Sequence, residues 1–178
     1  MSRFSRAVSA GRDRRFERPG RVSARQEHGA QGPPLTTRYL LDTSVVSVPI
    51  SQRPDTLIVR RLEERASECA IAAPVWHELV YGVGRLPRGK RRTALESYLR
   101  DAVQAVFPVL PYDELAARWH AEERARLESA GRTAPYVDGE IAAIAHANTL
   151  ILVTMNARHF SGFRDLTVEN WSSRASKR

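Results

Sequence analysis

Three carboxylates far apart in the chain, Asp42, Glu78 and Asp138, are the side chains best suited to act together. Asp42 closes the apolar run Tyr39-Leu40-Leu41. Glu78 lies in a helical stretch after a second apolar run. Asp138 heads the helical stretch before a fourth run, and Thr154 and Asn156 directly follow that run. Gathered in one place, three like charges repel unless a cation offsets them. Oxygen ligands alone suit Mg2+ or Mn2+. A hard cation so held activates water and stabilises charge on a phosphodiester. Each acid also has a plainer use: Asp42 and Asp138 suit helix N-caps, and Glu78 suits a solvated helix face.

The elements that must position these residues alternate between strand and helix. Tyr39–Leu41 is an apolar strand, and Thr43–Val48 turns into a short helix. Leu57, Ile58, Arg61 and Leu62 after Pro54 have helical spacing. Cys69–Ile71 is a second strand. Pro74 opens a helix that Gly82 and Gly84 end. Helix is expected over 88–102, strand over 106–110, and helix over 113–129, stopped by Gly131. The Ala/Ile-rich stretch 137–147 is the last long helix, followed by strands over 150–153 and 166–168. Short, continuously apolar strands separated by helices imply a parallel sheet covered on both faces. The predicted fold is therefore α/β, a three-layer α/β/α sandwich. In such sheets ligands sit beyond the carboxyl ends of the strands, where Asp42, Thr154 and Asn156 fall.

Composition narrows the function classes. The 178 residues carry 42% hydrophobic and 27% charged side chains, a globular balance. No apolar run approaches the roughly 18 residues that span a bilayer, so a membrane protein is excluded. The sole cysteine, Cys69, rules out an intrachain disulfide and a cysteine-based zinc cage. It reads as a small core residue in a reducing, cytoplasmic setting. The net charge of +8 sits at the two ends: residues 1–37 hold eight Arg against three acids, and 38–171 hold 17 basic and 17 acidic side chains. Residues 1–37 read as a disordered basic extension, or as sequence upstream of a true start near Arg38. Residues 172–178 read as a basic tail. Within the neutral body, Arg85, Arg88, Lys90, Arg91 and Arg92 form a cluster that is as well suited to phosphate contact as to a solvated helix start, and Arg132 precedes Asp138.

Other signals are weaker. His77-Glu78 begins like a zinc-protease helix, but Tyr81 stands where the second His is needed. His146 and His159 read as surface or core residues rather than ligands. Glu140 lies two residues past Asp138 and points away from it on a helix. Gly82-Val83-Gly84 follows a helix and reads as its end, not as a phosphate loop.

Four segments together carry a resemblance: Leu40-Leu41-Asp42-Thr43-Ser44-Val45-Val46-Ser47, then Ala73-Pro74-Val75-Trp76-His77-Glu78-Leu79-Val80-Tyr81-Gly82, then Val137-Asp138-Gly139-Glu140-Ile141-Ala142-Ala143-Ile144-Ala145, and Leu152-Val153-Thr154-Met155-Asn156-Ala157-Arg158-His159-Phe160. In this order and spacing they resemble the PIN-domain family over residues 38–171, and within it the VapC-type toxins of type II toxin–antitoxin pairs. The resemblance implies a Mg2+- or Mn2+-dependent endoribonuclease with Asp42, Glu78 and Asp138 as its acids. Thr43, Ser44 and Thr154 match supporting polar positions. Asn156 falls where relatives often carry a fourth acid, which weakens the case for a second tightly held metal. It further implies an RNA substrate, a homodimer, inhibition by a cognate VapB-type antitoxin, and promoter DNA bound only through the antitoxin complex. The rival reading is a PIN-like binding module whose metal site is too weak for turnover and which acts with its partner in transcriptional repression.

Overall fold

The computed structural model describes residue 34 and residues 36–172. The expected extension over 1–37 and tail over 172–178 lie almost wholly outside the described residues. Five strands form one parallel sheet: β1 (Tyr39–Leu41), β2 (Cys69–Ala72), β3 (Val109–Leu110), β4 (Ile151–Val153) and β5 (Val168–Glu169). Their order across the sheet is β3-β2-β1-β4-β5, so the chain first winds one way from β1 and then returns to its other side. The α-helices are α1 (Thr43–Val46), α2 (Thr56–Glu64), α3 (Ala73–Gly84), α4 (Lys90–Tyr98), α5 (Glu114–Ser129), α6 (Tyr136–Ala147) and α7 (Ala157–Phe160). The expected three-layer sandwich is present.

Burial explains why the strands carry no polar alternation. Every residue of β1 and β2 is buried, because helices cover both faces of the sheet. Local signals start the helices where the sequence suggests. The Asp55 carboxylate accepts the Leu57 and Ile58 amides to cap α2, and Asp113 accepts the Ala116 amide to cap α5. Pro74 stands in the first turn of α3, where its missing N–H costs nothing. Trp171 closes the fold edge-on against Tyr39, with ring centroids 5.1 Å apart.

Three elements differ from expectation, the last of them β5, which is Val168–Glu169 rather than 166–168. The helix expected over 88–102 is regular only from Lys90 to Tyr98 and then widens into a π-helical segment, Leu99–Gln104. Leu99, Ala102 and Val103 stay buried through the wider turns, at the i, i+3, i+4 spacing of a helix's apolar face. The strand expected over 106–110 is only Val109–Leu110. The Val106 and Phe107 amides fold back onto the Val103 carbonyl instead, and Pro108 has no amide to give an edge ladder.

Tyr98 ties α4 to the end of α1: its buried hydroxyl donates to the Val46 carbonyl at 2.7 Å. Tyr98→Phe is expected to remove about 1 kcal/mol. For a domain of this size that lowers Tm by about 3–5 °C, measurable by thermal denaturation followed by circular dichroism.

Candidate active site

The return of the chain places β1 beside β4, with three residues in parallel register, Tyr39 to Leu41 against Ile151 to Val153. The strand order switches here, and the crevice beyond the strand ends is where open α/β sheets hold ligands. Asp42 leaves β1 into this crevice and Thr154 leaves β4 into it. The Asp42 amide donates to the Val153 carbonyl at 3.0 Å, so the two strand ends are fastened to each other.

Asp42 occupies the N-cap position of α1, yet its side chain makes no capping bond. Its carboxylate turns instead to two hydroxyls: Ser44 Oγ donates to Oδ2 at 2.6 Å, and Thr154 Oγ1 donates to the same oxygen at 2.7 Å. Each hydroxyl also accepts an amide of the loop after β4, Met155 onto Ser44 and Asn156 onto Thr154. These amides occupy lone pairs and leave the hydroxyl protons for Asp42. Thr154 is fully buried and Asp42 only 8% exposed, so Asp42 is a pre-set side chain rather than a solvated one.

Glu78 is exposed on α3 and accepts a hydrogen bond from Thr43 Oγ1 through Oε2. That bond joins α3 to the residue after Asp42. Asp138 lies in the first turn of α6, whose N-cap is Pro135, so it does not cap its helix. His159 on α7 reaches it, Nδ1 to Oδ2, at 3.1 Å. Burial holds the Asp138 carboxyl above the usual carboxylate range. The His159 ring opposes this, and the charges of Asp42 and Glu78 add to it. Asp42 and Glu78 are thus near enough for their charges to be felt at Asp138.

Among the described residues, no three His, Cys, Asp or Glu side chains are packed closely enough to be a finished metal cage. Each acid is turned to a partner of its own: Asp42 to Ser44 and Thr154, Glu78 to Thr43, Asp138 to His159. The donor set still fits a hard divalent cation, since it offers carboxylate oxygens flanked by hydroxyls and no thiolate. A cation would also relieve the like-charge crowding felt at Asp138.

The remaining sequence candidates divide. Asn156 is exposed three residues past the end of β4, at the N-cap of α7, without a side-chain capping bond. Arg92 is not free for a phosphate: it pairs with Glu96 at 2.8 Å and donates to the Gly84 and Leu86 carbonyls at the end of α3. Arg85 lies over the Tyr81 ring, 5.6 Å from its centroid. Arg88, Lys90, Arg91 and Arg132 are exposed. His146 stacks on Trp119 at 4.5 Å, away from the acids.

Two residues matter more than their sequence context suggests. His159 is the histidine set aside as a bystander, and only the packing of α7 beside α6 brings it to Asp138. Gly139 is the other. A Cβ there would stand 2.1 Å from Nε2 of His120, a buried ring on α5 that is held by the Tyr112 hydroxyl at 2.9 Å. A glycine inside a helix costs about 1 kcal/mol against alanine, which was a legible sign of a close approach.

Comparison with known proteins agrees with this geometry. The PIN domain family matches residues 39–166. The chain is 32% identical to Toxin FitB of Neisseria gonorrhoeae over 68% of its length and 89% of that protein's. It is 29% identical to a tRNA(fMet)-specific endonuclease VapC of Shigella flexneri over 76% and 98% of the two chains. In three dimensions it resembles FitAB bound to an IR36 DNA fragment, with a TM-score of 0.69 at 28% identity over 74% of this chain and 94% of that one. It also resembles VapBC2 of Rickettsia felis bound to a DNA fragment from its promoter, with a TM-score of 0.65 at 27% identity over 76% and 100%. The four segments, the parallel sheet with its switch between β1 and β4, and these relatives place the chain in the PIN-domain family, among its VapC-type toxin ribonucleases.

Proposed function

We propose that residues 38–171 form an endoribonuclease toxin domain that cuts RNA with Mg2+ or Mn2+ held by Asp42, Glu78 and Asp138. The carrying observation is that Asp42, at the β1–β4 crevice, Glu78 and Asp138 each have a fixed hydrogen-bond partner, and that the charges of Asp42 and Glu78 act on Asp138. A divalent cation at this site supplies charge that offsets the acids and activates water for attack on a phosphodiester. Ser44 and Thr154 fix the direction of the Asp42 carboxylate, Thr43 that of Glu78, and His159 that of Asp138. Held this way, the donors need little reorganisation.

The partners follow the relatives, whose structures include antitoxin complexes and DNA-bound complexes. This chain works as a homodimer in the cytoplasm, is silenced by a VapB-type antitoxin, and meets promoter DNA only through that complex. No helix of the described residues is long and apolar enough to cross a membrane. Cys69 is buried, and burial, with Glu68 adding to it, pushes its thiol up to about 12, so it takes no part as a nucleophile.

The test is cleavage of cellular RNA by the full chain with Mg2+ or Mn2+, with EDTA, and with antitoxin added. Cutting that needs the ion and stops with antitoxin is expected. Cutting that persists in EDTA overturns the metal role. Asn156 sets the stoichiometry. Three carboxylates and one dication leave the site near −1, and a second ion takes it to about +1. Calorimetric titration of RNA-free protein should therefore show one tight Mn2+ per chain, and Asn156→Asp should tighten it. Two tight ions in the parent chain, or no gain from Asn156→Asp, overturns the one-ion reading.

A further inference from the structure

We propose that the cleft between the α5–α6 connection and α7 is a subsite for the RNA phosphate next to the one being cut, gripped by Arg132 and Arg158. The inference rests on the ribonuclease reading above. The cleft holds about 210 Å3 and is lined by Arg132, Ala134, Pro135, Arg158, His159 and Gly162, among others. It is smaller than the roughly 300–1,000 Å3 of sites for drug-sized ligands and suits a phosphate with part of a ribose. His159 is its shared wall with the acids, since the same ring bonds Asp138 at 3.1 Å. A strand laid across the acids passes directly into it.

Charge in this region is arranged selectively. The nearby Arg126 is neutralised: it pairs with the buried Glu123 and donates to the Gly162 carbonyl at 2.7 Å. Glu123 in turn accepts the Arg164 amide at 3.0 Å. This ion pair staples α5 to the segment after α7 and makes the cleft floor rigid. Arg132 and Arg158 line the cleft with no ion-pair partner among the described residues. Gly162 lets the Arg132 guanidinium lie close over its backbone, where a Cβ would be 3.0 Å away. Pro135, the N-cap residue of α6, lines the same cleft, and a helix N-terminus favours an anion. Elsewhere, Arg92 is spent on the end of α3, and Arg85 lies over the Tyr81 ring. Arg132 and Arg158 therefore put unpaired guanidinium charge beside His159 and, through it, Asp138.

The experiment uses the full chain carrying Asp42→Asn, without antitoxin and in EDTA, and a labelled single-stranded RNA of mixed sequence. Affinity is measured across a chloride series. One phosphate contact accounts for about 0.7 of the log–log salt slope of a single strand, or about fourfold in affinity at physiological salt. Arg132→Gln and Arg158→Gln should each cost that much, and both together about twice the slope change. Arg132→Lys and Arg158→Lys should restore the slope, whereas Arg60→Gln on α2 should leave it unchanged. Sodium phosphate at matched ionic strength should not displace the RNA. A double Gln variant with parental affinity and slope, slopes that Lys does not restore, or displacement by inorganic phosphate overturns the proposal. Failure of the nuclease reading shows elsewhere, as absence of cleavage by the parent chain while these slopes still change.

Discussion

Asp42→Asn cuts RNA at least about 10²–10³-fold more slowly than the parent chain while melting at nearly the same temperature. A divalent ion contributes several kcal/mol to stabilising a phosphodiester transition state, and each 1.36 kcal/mol is tenfold in rate. An amide in place of the carboxylate removes the charge that holds the ion. The fold is spared because both hydroxyl donors, Ser44 and Thr154, meet the same oxygen of Asp42, and the Asn carbonyl oxygen can take that place. Glu78→Gln and Asp138→Asn should lose activity comparably. Their stabilities separate them. The folded state disfavours the charged form of Asp138, whose carboxyl is raised chiefly by burial. Its charge therefore costs stability above that raised pKa, and the cost disappears as pH falls through it. Ion-free Asp138→Asn should melt at or above the parent at pH 7, with the advantage fading in acid. Initial cleavage rates and melting curves for the three variants check this. Parental rates in all three would remove these acids from the mechanism.

Gly139→Ala is expected to be the most damaging change outside the acids. Its methyl group would stand 2.1 Å from Nε2 and within 3.0 Å of two further atoms of the His120 ring. That ring cannot swing aside cheaply: it is 4% exposed, bonded to the Tyr112 hydroxyl, and flanked by Tyr136 at 5.0 Å. Either the Tyr112 bond breaks or α6 moves off α5. Overpacking costs about 1–3 kcal/mol and the lost buried bond about 1 kcal/mol more, so a loss of about 2–4 kcal/mol is expected by urea denaturation. Because Asp138 is the preceding residue, cleavage should fall as well, even at temperatures where the variant is folded. His120→Ala makes room for the methyl, and the double variant should recover stability relative to the sum of the two single changes. Simple additivity would show that the contact is not the cause.

These results bear on how much was legible beforehand. Apolar runs of three or four residues separated by amphipathic stretches already demand a covered parallel sheet, because nothing else buries such strands. The sheet rule then puts Asp42 and Thr154 at a ligand-binding edge. Local chemistry is carried by neighbours in the chain, which is why the proline-led start of α3 could be read directly. The reach of Ser44 and Thr154 to one carboxylate oxygen, across 110 residues of chain between them, could not. Nor could the choice of Asp42 between capping α1 and facing the crevice, since both uses suit the same residue type at the same position. The π-helical widening after Tyr98 could not be read either, since Leu99, Ala102 and Val103 keep the apolar spacing of an ordinary helix. His159, Gly139 and the division of the arginines into paired and unpaired ones depend on how α5, α6 and α7 pack together. The amino-acid sequence by itself determined the layers and the carboxyl ends of β1 and β4, because periodicity and short-range capping act within a few residues. Tertiary structure alone decided which hydroxyl, imidazole or guanidinium stands beside each acid, because those distances are set by contacts between segments that the chain separates.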